Sequence, residues 1–258
     1  VMLSADEAAD LPCSAAPDPA TVRSIIADAP VDAVVTPAAN RRKRLLIADM
    51  DSTIVIGETL DELARFAGVG DRVAAITARA MAGEIDFKGA LRERVALLEG
   101  LDVGALEKTW AATRIMPGAR ELVSTMRANG AATALVSGGF TFFTSRVANA
   151  LGFHENRANV LLDDGARFLG RVQEPILDRT SKLESLRELT AVHGVQLEDC
   201  LAVGDGANDL DMILAAGLGV AYHAKPIVAV AARARIDHSS LRALLFMQGY
   251  RASEFAAA

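Results

Sequence analysis

The chain alternates short apolar runs with helical patterns, and this alternation restricts its fold more than any other feature. The apolar runs predict strands at 45–48, 132–136 and 201–203, with weaker candidates at 218–221 and 235–236. Helical patterns occupy the intervals, at 119–128, 141–151, 182–193, 208–216 and 226–232. Such alternation builds parallel sheets with helices on both faces. The prediction is an α/β fold with a doubly wound, mostly parallel sheet.

One stretch breaks the alternation. Residues 57–116 show only helical periodicity, and Pro117-Gly118 marks the return to the core. A run of helices after the first strand predicts a small inserted helical cap domain. The core then comprises 44–56 and 117–258, with a hairpin expected at 160–172. Residues 1–43 carry one predicted helix, 19–27, and our hypothesis is that they are the remnant of a larger regulatory domain.

Composition excludes several classes of protein. The net charge of −6 argues against a nucleic-acid partner, since such binding needs massed Lys and Arg. No apolar stretch approaches the roughly 20 residues that cross a bilayer, and the first residues lack the order of a secretory signal. Cys13 and Cys200 are far apart and form no disulfide framework. We therefore expect a cytoplasmic protein that acts on a small molecule, with no membrane or nucleic-acid partner. The sequence is compatible with either a monomer or an oligomer.

Asp49 and Asp51 follow the first predicted strand directly. Two carboxylates two residues apart at a strand exit can face one small site from different angles. One can attack a phosphorus atom while the other gives a proton to the leaving oxygen. The alternative is an acidic turn or a helix cap, and the spacing alone leaves both readings open.

A second polar cluster, Gly204-Asp205-Gly206-Ala207-Asn208-Asp209, also follows an apolar run. Hard oxygen ligands suit Mg²⁺, which usually takes one or two protein carboxylates. The glycines let the backbone approach an ion or a phosphate closely. A turn followed by an Asn or Asp cap is the alternative. An EF-hand calcium loop is set aside because the distal glutamate is missing.

Two further features suit an anionic ligand. Ser137-Gly138-Gly139 ends a predicted strand before a helix, where a hydroxyl and successive backbone N–H groups can cradle an anion. Lys182 opens another helix and could hold phosphate. Taken alone, the glycines suit a plain turn and the lysine suits the protein surface.

In order along the chain, these motifs resemble those of the haloacid dehalogenase superfamily, and within it the phosphoserine phosphatases. The resemblance covers about residues 44–250 and rests on D-x-D-S-T at 49–53, S-G-G-F at 137–140 and G-D-G-x-N-D at 204–209. It implies a Rossmann-like core, Mg²⁺ as cofactor and a phosphoaspartyl intermediate. Asp49 would be the nucleophile and a metal ligand, and Asp205 a second ligand. Asp51 would act as general acid and base, and its backbone carbonyl would bind the metal.

The resemblance also implies the residues that bind substrate. Ser137, Gly138, Lys182 and Asn208 would surround the phosphoryl group, and Asp209 would support Lys182 or the metal shell. In the cap, Glu58 would bind the ammonium of the substrate and Arg94 its carboxylate, while Phe87 would form an apolar lid. The assignment of Glu58 and Arg94 also has a physical basis apart from the resemblance, because a zwitterionic serine backbone needs one anion and one cation as partners. Without the resemblance, both residues would read as a solvated helix face.

Three hypotheses follow. The first is hydrolysis of O-phospho-L-serine to L-serine and phosphate, the last step of serine biosynthesis. The second is a related phosphatase or phosphotransferase that acts on another small phosphate, such as phosphohomoserine or a sugar phosphate. The third is a metal-binding regulatory protein on a phosphatase scaffold. The presence of the complete set, Asp49, Asp51, Lys182 and Asp205, argues against the third. Glu58 and Arg94 argue against a sugar phosphate, but they suit phosphohomoserine equally well.

Overall fold

The computed structural model describes residues 1–27, 29–81 and 84–256. The strands in these ranges are β1 (Met2–Ser4), β2 (Ala8–Ala9), β3 (Leu45–Ala48), β4 (Ala132–Phe140), β5 (Glu155–Asn159), β6 (Leu161–Asp163), β7 (Phe168–Val172), β8 (Cys200–Gly204), β9 (Leu218–Tyr222) and β10 (Ala234–Ile236). The α-helices are α1 (Pro19–Ile25), α2 (Thr59–Phe66), α3 (Gly70–Met81), α4 (Phe87–Ala96), α5 (Gly104–Ala112), α6 (Ala119–Ala128), α7 (Thr141–Leu151), α8 (Arg179–His193), α9 (Leu210–Ala215), α10 (Pro226–Ala231) and α11 (Ala243–Met247). None of these helices has the length and apolar composition that a membrane crossing requires.

Six strands form a parallel sheet in the order β10-β9-β8-β3-β4-β5. Every residue of β3 and β8 is buried. Along β3, Leu46 and Ala48 join one apolar cluster, whereas Leu45 and Ile47 join another. Because alternate side chains of a strand point to opposite faces, both faces of the sheet are covered. The predicted doubly wound α/β fold is confirmed.

The carboxyl ends of β3 and β8 lie level with Leu135 of β4, which continues beyond them to Phe140. Ala48 of β3 pairs with Leu135 of β4 on one side and with Val203 of β8 on the other. The chain leaves β3 toward β4 and β5 and later returns on the opposite side at β8. Sheets of this kind bind ligands in the crevice at such a switch point. The register therefore brings together the segments that follow residues 48, 135 and 203.

The predicted helical cap is present as α2, α3, α4 and α5, inserted between β3 and β4. The outgoing and returning segments of the chain pair with each other where they meet the core. The N–H of Met116 donates to the carbonyl of Ile54 at 2.9 Å, and that of Ile56 donates to Arg114 at 2.8 Å. These bonds hold the cap above the carboxyl end of β3.

The predicted hairpin is formed by β6 and β7, which pair antiparallel. It stands apart from the central sheet and bonds to the cap. The N–H of Gly100 donates to Phe168 at 2.9 Å, and the N–H of Phe168 donates to Leu101 at 3.0 Å. The sequence-based division assigned this hairpin to the core, 117–258, although its contacts join it to the cap. The domain boundaries stay a prediction.

The sequence patterns do not predict β5. Its residues are polar except for Ala158, and only Asn159 is buried. As an edge strand it has β4 as its one neighbour, so its side chains remain partly solvated and show no apolar signature. Strand formation here depends on the pairing of Glu155 with Ala134, a long-range contact that local sequence does not encode.

The N-terminal segment packs against the end of the chain. Helix α1 begins at Pro19 as predicted, capped by Asp18, but ends at Ile25, two residues before the predicted end. The carboxylate of Asp32 accepts N–H groups from Asp237 at 2.7 Å and Ser239 at 2.8 Å. That residues 1–43 are the remnant of a regulatory domain stays a prediction.

Candidate active site

Asp49 lies directly after β3 and is buried at the carboxyl edge of the sheet. Its Oδ1 accepts a hydrogen bond from Nζ of Lys182 at 2.6 Å, and the same Nζ donates to Oδ1 of Asp209 at 2.5 Å. Lys182 is only 1% exposed, and it lies in the first turn of α8, which begins three residues earlier than predicted. A buried ammonium needs such partners, because an unpaired charge in the interior is costly. The lysine therefore fixes two carboxylates, one in the segment after β3 and the other in the segment after β8.

The carboxylates of Asp49, Asp205 and Asp209 surround one buried cation, Lys182. A second lysine, Lys225, lies 3.9 Å from Asp205 but is exposed. Burial raises the pKa of Asp49, and Asp209 adds to that effect against the opposing charge of Lys182. Burial and Asp209 likewise raise the pKa of Asp205 to about 6. Two neighbouring acids resist ionising together unless more positive charge is supplied. The site is thus short of positive charge when its acids are ionised.

Oxygen atoms of Asp49, Asp205 and Asp209 lie within 4.8 Å of one another, and all three residues are buried. Such a donor set fits a hard divalent cation, which would also offset the crowded negative charge. Asp209 is already engaged, since Lys182 holds one oxygen and the N–H of Gly206 donates to the other at 3.0 Å. Its position therefore suits the predicted supporting role, leaving Asp49 and Asp205 better placed to meet an ion.

Asp51 has the environment of a proton donor. Burial of its carboxyl group raises its pKa to about 7, and the nearby Glu58 adds to the shift. The N–H of Thr59, at the start of α2, donates to Oδ1 of Asp51 at 2.9 Å and orients the group. A carboxyl with a pKa near neutrality can both give and take a proton at physiological pH.

The backbone from Ser137 to Phe140 forms a wall of the site that packs closely against Asp51. Strand β4 continues through Ser137, Gly138 and Gly139 to Phe140, so it ends four residues later than predicted. The N–H of Gly139 donates to Oγ of Ser137 at 2.9 Å. A Cβ atom at Gly139 would lie 2.9 Å from Oδ2 of Asp51, a distance that real Cβ atoms essentially never show. Glycine is therefore required here for Asp51 to approach the strand.

Asn159 supports this wall and was not anticipated by the sequence patterns. It is buried at the end of β5, where its Nδ2 donates to the carbonyl of Gly138 at 2.8 Å. Its Oδ1 accepts the N–H of Leu177 at 2.7 Å. The polar edge strand gave no signal that one of its asparagines points inward.

The cap contributes three side chains to the same cleft. Glu58 precedes α2, and its Oε1 accepts a hydrogen bond from Oγ of Ser52 at 2.9 Å. Arg94 of α4 is half-buried, and burial lowers its pKa against the opposing charges of Asp61, Glu58 and Asp51. Phe87 opens α4 and lies so close to Gly138 that a Cβ there would be 3.0 Å from its ring.

Ser52 has a backbone angle that is unusual for a residue with a side chain. Its φ is 56°, in the left-handed region, and its N–H donates to the carbonyl of Gly57 at 2.9 Å. This tight loop turns the chain from Asp51 back toward the cap and directs the Ser52 hydroxyl at Glu58. The motif at 49–53 by itself predicts no role for Ser52.

Most of the predicted site residues therefore lie around one crevice. Asp49, Asp205, Asp209 and Lys182 meet beneath it. Asp51 lies beside Gly139, and Gly138 lies close to the ring of Phe87. Asn208 lies half-buried in the short 3₁₀ turn Ala207–Asp209 that follows β8. The roles of these residues stay predictions, whereas their placement is a structural observation.

The fold and the site define a class of hydrolase. Residues 46–214 match the family model of the haloacid dehalogenase-like hydrolases, and the chain belongs to that family. Within it, the chain is similar to phosphoserine phosphatases. That of Streptomyces coelicolor is 44% identical over 227 residues, which cover 88% of this chain and 55% of the relative. That of Methanocaldococcus jannaschii is 40% identical over 207 residues, which cover 80% of this chain and 97% of the relative.

A solved structure described as a substrate-bound phosphoserine phosphatase complex has the same fold. Its TM-score is 0.74 at 38% identity, covering 80% of this chain and 98% of that one. The chain spans between half and two thirds of the length of the longer curated relatives. It spans nearly all of shorter ones.

Proposed function

We propose that this protein hydrolyses O-phospho-L-serine to L-serine and phosphate through an aspartyl-phosphate intermediate on Asp49. The observation that carries the proposal is the pairing of unlike carboxyl groups two residues apart. Oδ1 of Asp49 accepts a hydrogen bond from the ammonium of Lys182, whereas Oδ1 of Asp51 accepts the N–H of Thr59 and burial raises the pKa of Asp51 to about 7. Two acids with separated roles are what a nucleophile and a general acid require.

In this proposal Asp49 attacks phosphorus, and Asp51 delivers a proton to the serine oxygen as it leaves. Asp51 then takes a proton from the water that hydrolyses the phosphoaspartate. Lys182, Asn208, Ser137 and the backbone of Gly138 hold the phosphoryl oxygens. Positioning and charge stabilisation supply most of the catalysis in phosphoryl transfer, so these contacts matter as much as the nucleophile.

We propose Mg²⁺ as the cofactor, held by Asp49, Asp205 and the backbone carbonyl of Asp51, with Asp209 in support. The crowded, buried carboxylates favour this choice. When bound, the ion would spread the negative charge of the transferring phosphoryl group.

Two charged residues of the cap are the reason to propose phosphoserine as the substrate. Glu58 and Arg94 offer one negative and one positive charge above the same crevice, the complement of an amino acid backbone. A sugar phosphate would leave both without a partner. Phosphohomoserine carries the same two groups on a longer side chain, so a comparison of the two substrates tests the choice of serine. Cytoplasmic location and oligomeric state stay predictions.

Arg94→Ala is expected to impair hydrolysis of phosphoserine far more than that of p-nitrophenyl phosphate, which has no carboxylate. Loss of charge-assisted hydrogen bonds suggests a selective effect on the order of 2–3 kcal/mol, or roughly 30- to 150-fold in kcat/KM. The measurement is the ratio of kcat/KM for the two substrates in wild type and variant.

Arg92→Ala provides a matched control for that experiment. Arg92 lies two residues away on the same helix but is exposed and pairs with Glu174. We expect its substitution to leave the ratio unchanged. If Arg94→Ala lowered kcat/KM equally for both substrates, Arg94 would contribute to the structure of the lid without binding the serine carboxylate. The substrate assignment would then be wrong.

Mg²⁺ is expected to stabilise the protein as well as activate it. At a hundredfold excess over Kd, binding adds about 2.7 kcal/mol, which for a chain of this size raises Tm by roughly 5–10 °C. Asp205→Asn should lose most of this rise and most of the activity. Asp71→Asn, which alters an exposed acid of α3, should retain both. A full Mg²⁺-dependent rise in the Asp205 variant would place the ion elsewhere.

A further inference from the structure

Asp61 is a half-buried acid that has no role in the proposed mechanism. It lies three residues after Glu58, so both side chains lie on the same side of α2, where the charges of both act on Arg94. Its Oδ1 is buried and has no hydrogen-bond partner among the described residues. A buried acceptor without a donor is unfavourable, and native structures nearly always satisfy such groups. A donor is therefore expected to reach Asp61 in another state of the site.

Arg94 is the donor that the surroundings of Asp61 favour. Within residues 1–27, 29–81 and 84–256, the only hydrogen bond of the Arg94 guanidinium is from Nε to the carbonyl of Ala90, at 3.3 Å. Its two terminal nitrogens are thus available. Burial raises the pKa of Asp61, and among charged groups Arg94 opposes that rise most strongly. Asp61 in turn is the strongest charge acting on Arg94, ahead of Glu58.

We propose that Asp61 is a positioning residue for Arg94: when ligand occupies the cleft, Asp61 accepts a hydrogen bond from the guanidinium and turns its free edge toward the carboxylate of the ligand. The inference rests on the proposed function, since it takes Arg94 as the group that binds that carboxylate. A planar guanidinium binds a carboxylate well only in a defined orientation, so a second acceptor behind it improves binding. Glu58 stays available for the ammonium.

A simpler role for Asp61 is to stabilise the start of α2. Asp61 and Glu62 are both in its first turn, where negative charge favours a helix. Glu62 is the matched comparison, because it is half-exposed and pairs with Arg65 at 2.7 Å. A helix-start role predicts that Asp61→Asn and Glu62→Gln lower Tm by similar small amounts and leave substrate selectivity unchanged.

Three substrates separate the roles. Phosphoserine has an ammonium and a carboxylate, phosphoethanolamine has the ammonium alone, and p-nitrophenyl phosphate has neither. Asp61→Asn is expected to raise KM for phosphoserine roughly 5- to 30-fold, with kcat nearly unchanged. KM for the other two should stay within about twofold. Asp61→Glu should recover part of the loss, and Asp61→Asn should add nothing in an Arg94→Ala background.

Other outcomes would overturn the inference. An equal rise in KM for phosphoethanolamine would mean that Asp61 binds the ammonium directly. If the kinetics of Asp61→Asn were indistinguishable from those of Glu62→Gln, Asp61 would only stabilise the start of α2. Failure of the proposed function would be recognised separately, because Arg94→Ala alone would then spare phosphoserine hydrolysis. In that case the inferred role of Asp61 would also be wrong.

Discussion

Asp49→Asn is expected to reduce kcat by on the order of 10⁶-fold, the loss typical of removing a covalent nucleophile, while the protein stays folded. The amide has nearly the same shape as the carboxylate but does not attack phosphorus. Lys182 keeps Asp209 as a partner after the substitution. The measurement is kcat with phosphoserine, together with acid quenching of the wild type to trap a covalent phosphoenzyme that the variant should lack.

Although Asp49→Asn should abolish most activity, we expect it to maintain or increase the stability of the metal-free protein. The raised pKa of Asp49 means that its ionised form is less favourable in the folded state than in the unfolded chain. A neutral amide removes that cost, so Tm of the metal-free variant should equal or exceed that of wild type. This is the trade-off expected where a site is built for function rather than stability.

Asp71→Asn is a suitable control, since it makes the same chemical change at an exposed position of the cap. It should leave both kcat and Tm close to wild type. Turnover of the Asp49 variant within tenfold of wild type would contradict a phosphoaspartate at this position. A large fall in Tm would show instead that the lost activity reports unfolding.

Asp51→Asn is expected to slow phosphoserine turnover by roughly 10²- to 10⁴-fold, the range typical of general acid–base catalysis. In the proposed mechanism, the variant loses the group that gives a proton to the serine oxygen and later takes one from water. p-Nitrophenolate is a good leaving group that needs no proton, so its departure should be affected much less. Hydrolysis of the phosphoaspartate still needs the base.

Rapid-mixing kinetics of the Asp51 variant with p-nitrophenyl phosphate should therefore show a burst of p-nitrophenolate followed by slow turnover. The burst amplitude should match the amount of phosphoenzyme trapped on Asp49. Glu62→Gln, an acid-to-amide change on the cap, should turn over at the wild-type rate. If the Asp51 variant gave a slow reaction without a burst, Asp51 would act in the first step by some means other than proton transfer.

Much of the core could be predicted because its signals are local. The residues of β3 are continuously apolar, and those of α6 and α7 repeat with helical spacing; all three elements begin and end where the patterns place them. Parallel strands need covering helices, so alternation along the chain implies the layered fold. The acids and glycines at the strand ends then fall on one edge of the sheet. Composition and motif spacing therefore determined the fold class and the segments that build the site.

Only the tertiary structure decided which of those groups meet. Lys182 joins Asp49 to Asp209 across 133 and 27 residues of sequence, and β5 exists through its pairing with β4. Asn159 holds the Gly138 carbonyl, and Asp61 shares its cleft with Arg94, although no local pattern marks either residue. The reason is physical: hydrophobic periodicity reports burial of a face, whereas a polar side chain acquires its role from partners that chain folding brings within hydrogen-bond distance.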